Sequence, residues 1–310
     1  MAAASITRPS LLTERQVREL TGLTRSQYAR LIAEVGAAWE AERDARLSAR
    51  PRQRALGAGR KHVLPFAGRL LLAVMYLRWN VTMRFLAEVF GTDKDMVQRA
   101  VRELTPLIAA RGITAPDGTR LGDDAALTEQ LRVLSRAERA ALIDGTFVPI
   151  PRPGKGGWDA QKAQYSTHRH RHVNTFQTLT DDLGGLLWVG DARDGATHDL
   201  TAIATSAAVG ALAESEVTVL ADKAYIGIKA KLGLAAAFTP YRRGRKNDSR
   251  PEPVRDAEGE FNTELARQRI HVEHAIRRLK TNKILHGYRR RRHTLTDTIR
   301  ACATLATLPA

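Results

Sequence analysis

The feature that most constrains this chain is a change of hydrophobic period near residue 137. Before it, apolar residues recur at three- and four-residue spacing; after it, short apolar runs alternate with helical stretches. Side chains repeat every 3.6 residues on a helix and every two on a strand, so the two parts call for different architectures. The first part reads as all-α. The second reads as an α/β domain with a mixed sheet. A chain of 310 residues is long enough to bury a core in each.

In the first part, Thr13 with Gln16 and Thr24 with Gln27 match the capping-box pattern, with Gly22 between them. The second of these helices is expected to run through Trp39 towards Arg46. Ser48 to Lys61, with Pro51, Gly57, Gly59 and a high density of Arg, reads as a basic linker. Phe66 to Trp79 is a strongly apolar helix, and Met83 (or Thr82) to Phe90 a short amphipathic one. Gly91, Thr92 and Asp93 form a turn, and Lys94 to Ala110 a longer helix with Met96, Val97, Ala100, Val101 and Leu104 on its apolar face. Arg111 to Leu127, rich in Gly, Asp and Pro, reads as an exposed connector.

In the second part the expected strands are Ala140 to Ile143, Val173 to Thr180, Leu186 to Asp191 and Val217 to Leu220. The expected helices are His198 to Ala213, Ile226 to Leu232 and Asn262 to Lys280. No internal repeat is visible.

Charge narrows the function class. Forty-nine Lys and Arg against 33 Asp and Glu leave a formal +16, with a pI near 10.6. Such an excess concentrates polyanions, of which nucleic acid and an anionic membrane surface are the two rivals. The cations are spread through patterned sequence instead of one amphipathic segment, which favours nucleic acid. The longest apolar run, Leu70 to Leu77, is far short of the roughly 18 residues of a membrane span. The N-terminal residues lack a signal-peptide layout, and the single Cys302 excludes an internal disulfide or a multi-cysteine metal site. A reducing cytoplasm, in association with the nucleoid, is the expected location.

Three acidic residues stand out by placement. Asp144 ends the apolar run Ala140 to Ile143, Asp222 ends Val217 to Ala221, and Glu273 lies inside the long helix. Strand ends are where α/β sheets gather their sites, and a helix packed across that edge can add a third carboxylate. Each residue also has a plain structural reading. Asp144-Gly145 is a strong hairpin-turn dipeptide, Asp222 can cap the helix after it, and Glu273 can pair with Arg269 or Arg277 on the helix surface. On that helix Arg269, Glu273 and Lys280 share one stripe, beside an apolar stripe of Leu265, Val272, Ile276 and Leu279.

The ordered set IDGT, ADKAYIG and Arg-x3-Glu-x6-Lys resembles insertion-sequence transposases of the three-carboxylate (Asp-Asp-Glu) superfamily. Their group signature is Tyr-x2-Arg-x3-Glu-x6-Lys; Arg269, Glu273 and Lys280 match it, and Ala266 stands at the Tyr position. DGATHD (Asp194 to Asp199) and the YRRRRH segment add to the likeness, which covers roughly residues 64 to 305. The resemblance implies a ribonuclease-H-like catalytic fold in which Asp144, Asp222 and Glu273 bind two Mg²⁺ ions, with Mn²⁺ a possible substitute. Arg269 and Lys280 would hold the phosphate backbone. It also implies cleavage of double-stranded DNA at terminal inverted repeats, strand transfer into target DNA, and a homodimer on DNA.

Met83 to Leu104 resembles a helix-turn-helix, with Ala87 the small residue, Gly91 the turn glycine and Val97 the buried apolar residue. An ordinary helical hairpin is the alternative. As a recognition helix, Lys94 to Arg102 presents Lys94, Asp95, Gln98, Arg99 and Arg102 to a major groove. In His168 to His172 the three His would share one face of a strand, a metal-site pattern; a DNA-contacting loop or strand is the favoured reading. Arg289, Arg290, Arg291 and Arg292 are either a solvated run or phosphate contacts. The expected organisation is therefore a helical region with a basic linker (1–62), a helix-turn-helix (63–112), a connector (113–135) and a catalytic domain (136–305). Two rival functions stay open: a silent transposase-derived DNA-binding protein and a stand-alone metal-dependent nuclease.

Overall fold

The computed structural model describes residues 9–49, 64–154, 157–242 and 250–309. The chain divides into two compact units, Met1–Gly112 with Thr281–Ile284 and Arg300–Ala310, and Ile113–Lys280 with Leu285–Ile299. The basic linker expected over Ser48 to Lys61 lies, from residue 50 onward, outside the described residues.

The first unit is helical. Helices α1 (Glu14–Thr21) and α2 (Arg25–Ser48) both open on complete capping boxes, at Thr13 with Gln16 and Thr24 with Gln27. Gly22 ends α1 in the left-handed region, at φ 77°, where only glycine is unstrained. Helix α3 (Phe66–Trp79) is the unit's centre, with every residue from Leu70 to Leu77 buried. A helix apolar all round is stable only when neighbours cover every face, and α1, α2, α4 (Met83–Phe90) and α5 (Lys94–Ala110) do so. Arg69 is buried on α3, paired with Glu103 of α5 at 2.5 Å and 5.1 Å from the Trp39 ring of α2.

The second unit opens where a connector was expected. Its residues instead form a two-stranded ladder, β1 (Ile113–Thr114) with β2 (Arg120–Leu121), and helix α6 (Asp124–Arg136). Ile113, Ala115, Leu121, Leu127, Leu131 and Leu134 are all buried. The Gly, Asp and Pro that suggested a connector are the turn between the strands and the Asp123 cap of α6.

Then follow β3 (Ala140–Pro149), α7 (Gly157–Gln164), β4 (Tyr165–Ser166), β5 (Arg171–Asp181), β6 (Leu186–Val189) and β7 (Arg193–Asp194). After them come α8 (Asp199–Ala204), α9 (Ala208–Glu214), β8 (Thr218–Leu220), α10 (Ile228–Leu232), β9 (Ala237–Phe238), α11 (Glu252–Leu279) and α12 (Leu295–Ala306). The sheet is mixed. β3 pairs antiparallel with β5 on one side and parallel with β8 on the other, and β8 pairs parallel with β9. Along its other edge β5 pairs in turn with β4, β7 and β6. Three antiparallel strands followed by two parallel to the first is the mixed sheet expected of a ribonuclease-H-like domain.

The strand and helix limits differ from expectation in several places. β3 does not stop before Asp144 but continues to Pro149, each residue paired on β5. The single helix expected over His198 to Ala213 is two, broken at Thr205, Ser206 and Ala207, where the Thr205 hydroxyl turns back to the Thr201 carbonyl. The helix expected from Ile226 begins at Ile228, after a 3₁₀ turn over Lys223–Tyr225. Helix α11 starts ten residues early, at Glu252. Its apolar stripe packs as expected: Leu265 and Val272 meet Leu142 of β3 and Leu220 of β8, with Ile276 beside them.

Candidate active site

The parallel register of β3 and β8 positions two carboxylates. Pairing ends at Leu142 with Leu220, and Asp144 and Asp222 each stand two residues further on. Two residues is one strand period, so each Asp continues the face on which its leucine packs against α11. Neither the turn reading nor the surface-pair reading of these acids survives. Asp144-Gly145 is paired mid-strand with Thr178 and Gln177, and the Thr178 hydroxyl donates to the Asp144 carbonyl at 3.0 Å. Glu273 forms no ion pair with another described residue. The capping reading of Asp222 does hold: its Oδ1 accepts from the Ala224 amide at 2.8 Å, which fixes the carboxylate's orientation.

Arg269, one helical turn before Glu273 on α11, places Nη2 3.6 Å from Asp144 Oδ1, with 12% and 19% of the two side chains exposed. Burial pushes Asp144 up to about 6. Arg269 opposes that rise, and the carboxylates of Asp222 and Glu273 add to it. The three acids and Arg269 are thus one electrostatic group, although Glu273 itself is exposed. Among the described residues Arg269 Nε is buried without a hydrogen-bond partner.

A further carboxylate belongs to the group. Asp199, the last residue of the DGATHD motif and the first of α8, accepts from Gln177 Nε2 at 2.9 Å. Burial raises its pKa, and Asp222 raises it further against the Gln177 hydrogen bond. Gln177 in turn accepts from the buried Tyr225 hydroxyl. The motif is visible in the sequence, but the proximity of Asp199 to Gly145 rests on long-range pairing that only the fold reveals.

Lys280 caps the C-terminus of α11 with Nζ 4.5 Å from the Phe147 ring centre. Burial, and then the nearby Arg169, lowers its pKa. Arg169 lies over the same ring at 4.6 Å. Arg169 comes from the His168 to His172 run, which is a turn leading into β5; the three His do not share a strand face, and His170 has φ 51°. The run meets the loop expectation and excludes the three-His strand face. Of the arginine run, Arg289, Arg291 and Arg292 are exposed and Arg290 is half-buried, and Arg292 is paired with Asp194. Ala266 is exposed and lines a hollow of about 710 Å³ with Arg242, Arg255 and Arg267.

Among the described residues no three His, Cys, Asp or Glu side chains stand together in metal-ligand geometry. The acids nonetheless suit a hard divalent cation. All donors are carboxylate oxygens and their mutual repulsion is felt at Asp144, while Glu273 is exposed and, among the described residues, without an ion pair.

In the first unit, α4 and α5 meet around Gly91, which is left-handed at φ 59°. Ala87 and Val97 are buried at the positions expected of the motif. Lys94, Asp95, Gln98, Arg99 and Arg102 are all exposed on α5. No described helix is long and apolar enough to cross a membrane.

Comparison with known proteins agrees with this geometry. The family described as DDE superfamily endonuclease matches residues 143–307, and the family described as helix-turn-helix of DDE superfamily endonuclease matches residues 62–113. A protein of Streptomyces albus G, named as transposase for insertion sequence element IS112, is 30% identical over 236 residues, 76% of this chain and 77% of its own length. A second, from Microchaete diplosiphon and named as transposase for insertion sequence element IS702, is 26% identical over 284 residues, 91% of this chain and 89% of its own. The chain belongs to the DDE superfamily endonucleases, among the insertion-sequence transposases that carry an N-terminal helix-turn-helix.

Proposed function

We propose that this protein binds the terminal inverted repeats of its insertion sequence, cuts the DNA there and joins the freed ends to target DNA. The observation that carries the reading is the register of β3 and β8. It sets Asp144 and Asp222 side by side past the paired strand ends, facing the helix that bears Glu273 and Arg269.

Asp144, Asp222 and Glu273 would hold divalent cations, with Mg²⁺ or Mn²⁺ suited to the all-oxygen set. When bound, such ions polarise the scissile phosphate and stabilise attacking and leaving oxygens. The protein's own groups do the positioning. Asp222 is held in orientation by the Ala224 amide. Arg269, whose Nη2 stands 3.6 Å from Asp144, suits a phosphate oxygen beside that carboxylate. Lys280, desolvated over Phe147, adds a point charge to the strand's path. The exposed residues Lys94, Gln98, Arg99 and Arg102 read the repeat from the major groove, and the arginine run from Arg289 grips phosphates without reading bases. Processing two ends together calls for a homodimer on DNA.

The test is incubation of the protein with a plasmid carrying the element's ends, with Mg²⁺, with Mn²⁺ or with a chelator. Metal-dependent nicking at the ends and joined products are expected, both lost in Asp144→Asn, Asp222→Asn and Glu273→Gln. Binding without nicking would instead establish a silent DNA-binding protein, and nicking without joined products a stand-alone nuclease.

A further inference from the structure

Beside the carboxylates lies a cavity of about 800 Å³, within the range of small-ligand sites. One wall is the face of α7 that runs on into β4: Trp158, Gln161, Lys162 and Tyr165 recur at three- and four-residue spacing and all line it. Their helical stripe is not core-facing. Trp158 is 74% exposed and Tyr165 37%, both unusual for large aromatic residues that serve packing. Tyr165 meets His172 edge-on at 5.4 Å. Arg152, also lining the cavity, is held by two hydrogen bonds to Gln161 Oε1, at 3.0 and 2.8 Å. Asp199 also lines the cavity; it packs against Gly145 and interacts with Asp222. Three histidines line it as well, but among the described residues they form no metal-ligand group.

Accessible ring faces beside one cation held by Gln161 and a second exposed one match a nucleotide: base on ring, phosphate on charge. A base inside a duplex has its faces covered by its neighbours, so only an unpaired base can use these rings. We propose that this cavity takes an unpaired nucleotide of the DNA strand being cut, stacked on Trp158, with Arg152 and Lys162 on its phosphates. The assignment rests on the nuclease reading for the identity of the strand, since Asp199 joins the cavity to the carboxylate group.

The test uses the full chain with metal chelated, so that nothing is cut. Probes are a single-stranded oligodeoxyadenylate of about 15 nucleotides carrying one 2-aminopurine, and a blunt duplex of the same sequence. The single strand should quench 2-aminopurine in the wild type. Trp158→Ala should weaken it about tenfold and leave duplex binding within about twofold. Trp158→Phe, which keeps a stacking face, should retain most of the affinity. Trp158 is exposed, so neither substitution opens the core. Equal losses on both probes, or none on either, would overturn the proposal. Deoxyadenosine monophosphate should not compete at concentrations where the strand saturates; if it binds as tightly, the occupant is a free nucleotide and the strand assignment falls. Failure of metal-dependent nicking with this stacking intact would defeat the nuclease reading alone.

Discussion

Gly145 leaves on β3 the space that the carboxylate of Asp199 fills: a Cβ at residue 145 would press on Asp199 Oδ1 and lie 3.2 Å from Gln177 Nε2. Gly145→Ala should therefore turn Asp199 away from Gln177 and loosen the floor under Asp144. Overpacking of this kind costs about 1–3 kcal/mol, visible as a lower melting temperature. Nicking should fall further than the melting shift explains, at a temperature where both proteins are folded. Undiminished activity would show that Asp199 has no part in shaping the site.

Asp144 gives a pH dependence of unusual sign. Its folded pKa, raised mainly by burial to about 6, lies above the ordinary 3.8. Between those values the folded state binds more protons than the unfolded one, so stability falls as pH rises from 3.8 to about 6 and then levels off. At about 1.4 kcal/mol per pKa unit, the loss is on the order of 2–3 kcal/mol. In chelator, Asp144→Asn should melt above the wild type at neutral pH, with the gap closing towards acid. Melting curves whose difference ignores pH would contradict this.

On α5, Arg99→Ala or Gln98→Ala should cost about 1–3 kcal/mol on a terminal repeat and little on random DNA if these residues touch base edges. Equal losses on both would assign them to the backbone. Gly91→Ala tests the turn separately. A Cβ there meets nothing within 4 Å, so the expected loss of about 1–2 kcal/mol comes from the left-handed conformation alone.

Replacing Arg289, Arg290, Arg291 and Arg292 by Ser should weaken binding to every DNA sequence alike. Each lost phosphate contact lowers the slope of log K against log salt by about 0.9. Arg292 is already paired with Asp194, so the slope should fall by less than four contacts' worth. An unchanged slope would make the run solvated surface.

The helices of the first unit were legible because their ends are marked chemically. The caps at Thr13, Thr24, Thr82 and Asp93 and the left-handed glycines 22 and 91 all signal locally. The candidate carboxylates Asp144 and Asp222 stand out in the sequence as the ends of apolar runs, and Glu273 by its helix spacing from Arg269 and Lys280. The length of β3 was not legible, because Asp144-Gly145 reads as a turn when seen alone. What keeps it extended is long-range pairing with β5 and the room Asp199 needs at residue 145. Helix α7 was invisible for a different reason. Its outward stripe of Trp158, Gln161 and Lys162, continued by Tyr165 of β4, lines a cavity instead of a core, so it leaves no apolar period to find. Helix α6 carries Leu127, Leu131 and Leu134 at proper helical spacing, but its start is hidden behind the Gly- and Asp-rich turn.

The two partners of β3 join it by very different routes. β5 pairs antiparallel after one short helix and strand, whereas β8, pairing parallel, arrives only after two more helices, and α11 later still. Contacts between distant parts of a chain form late, because their loop-closure entropy must be met first. In chain order the β3–β5 ladder that carries Asp144 is complete before β8 brings Asp222 into register and before α11 supplies Glu273. On the proposed reading, a product truncated before α11 lacks Glu273 and should carry no complete cutting site.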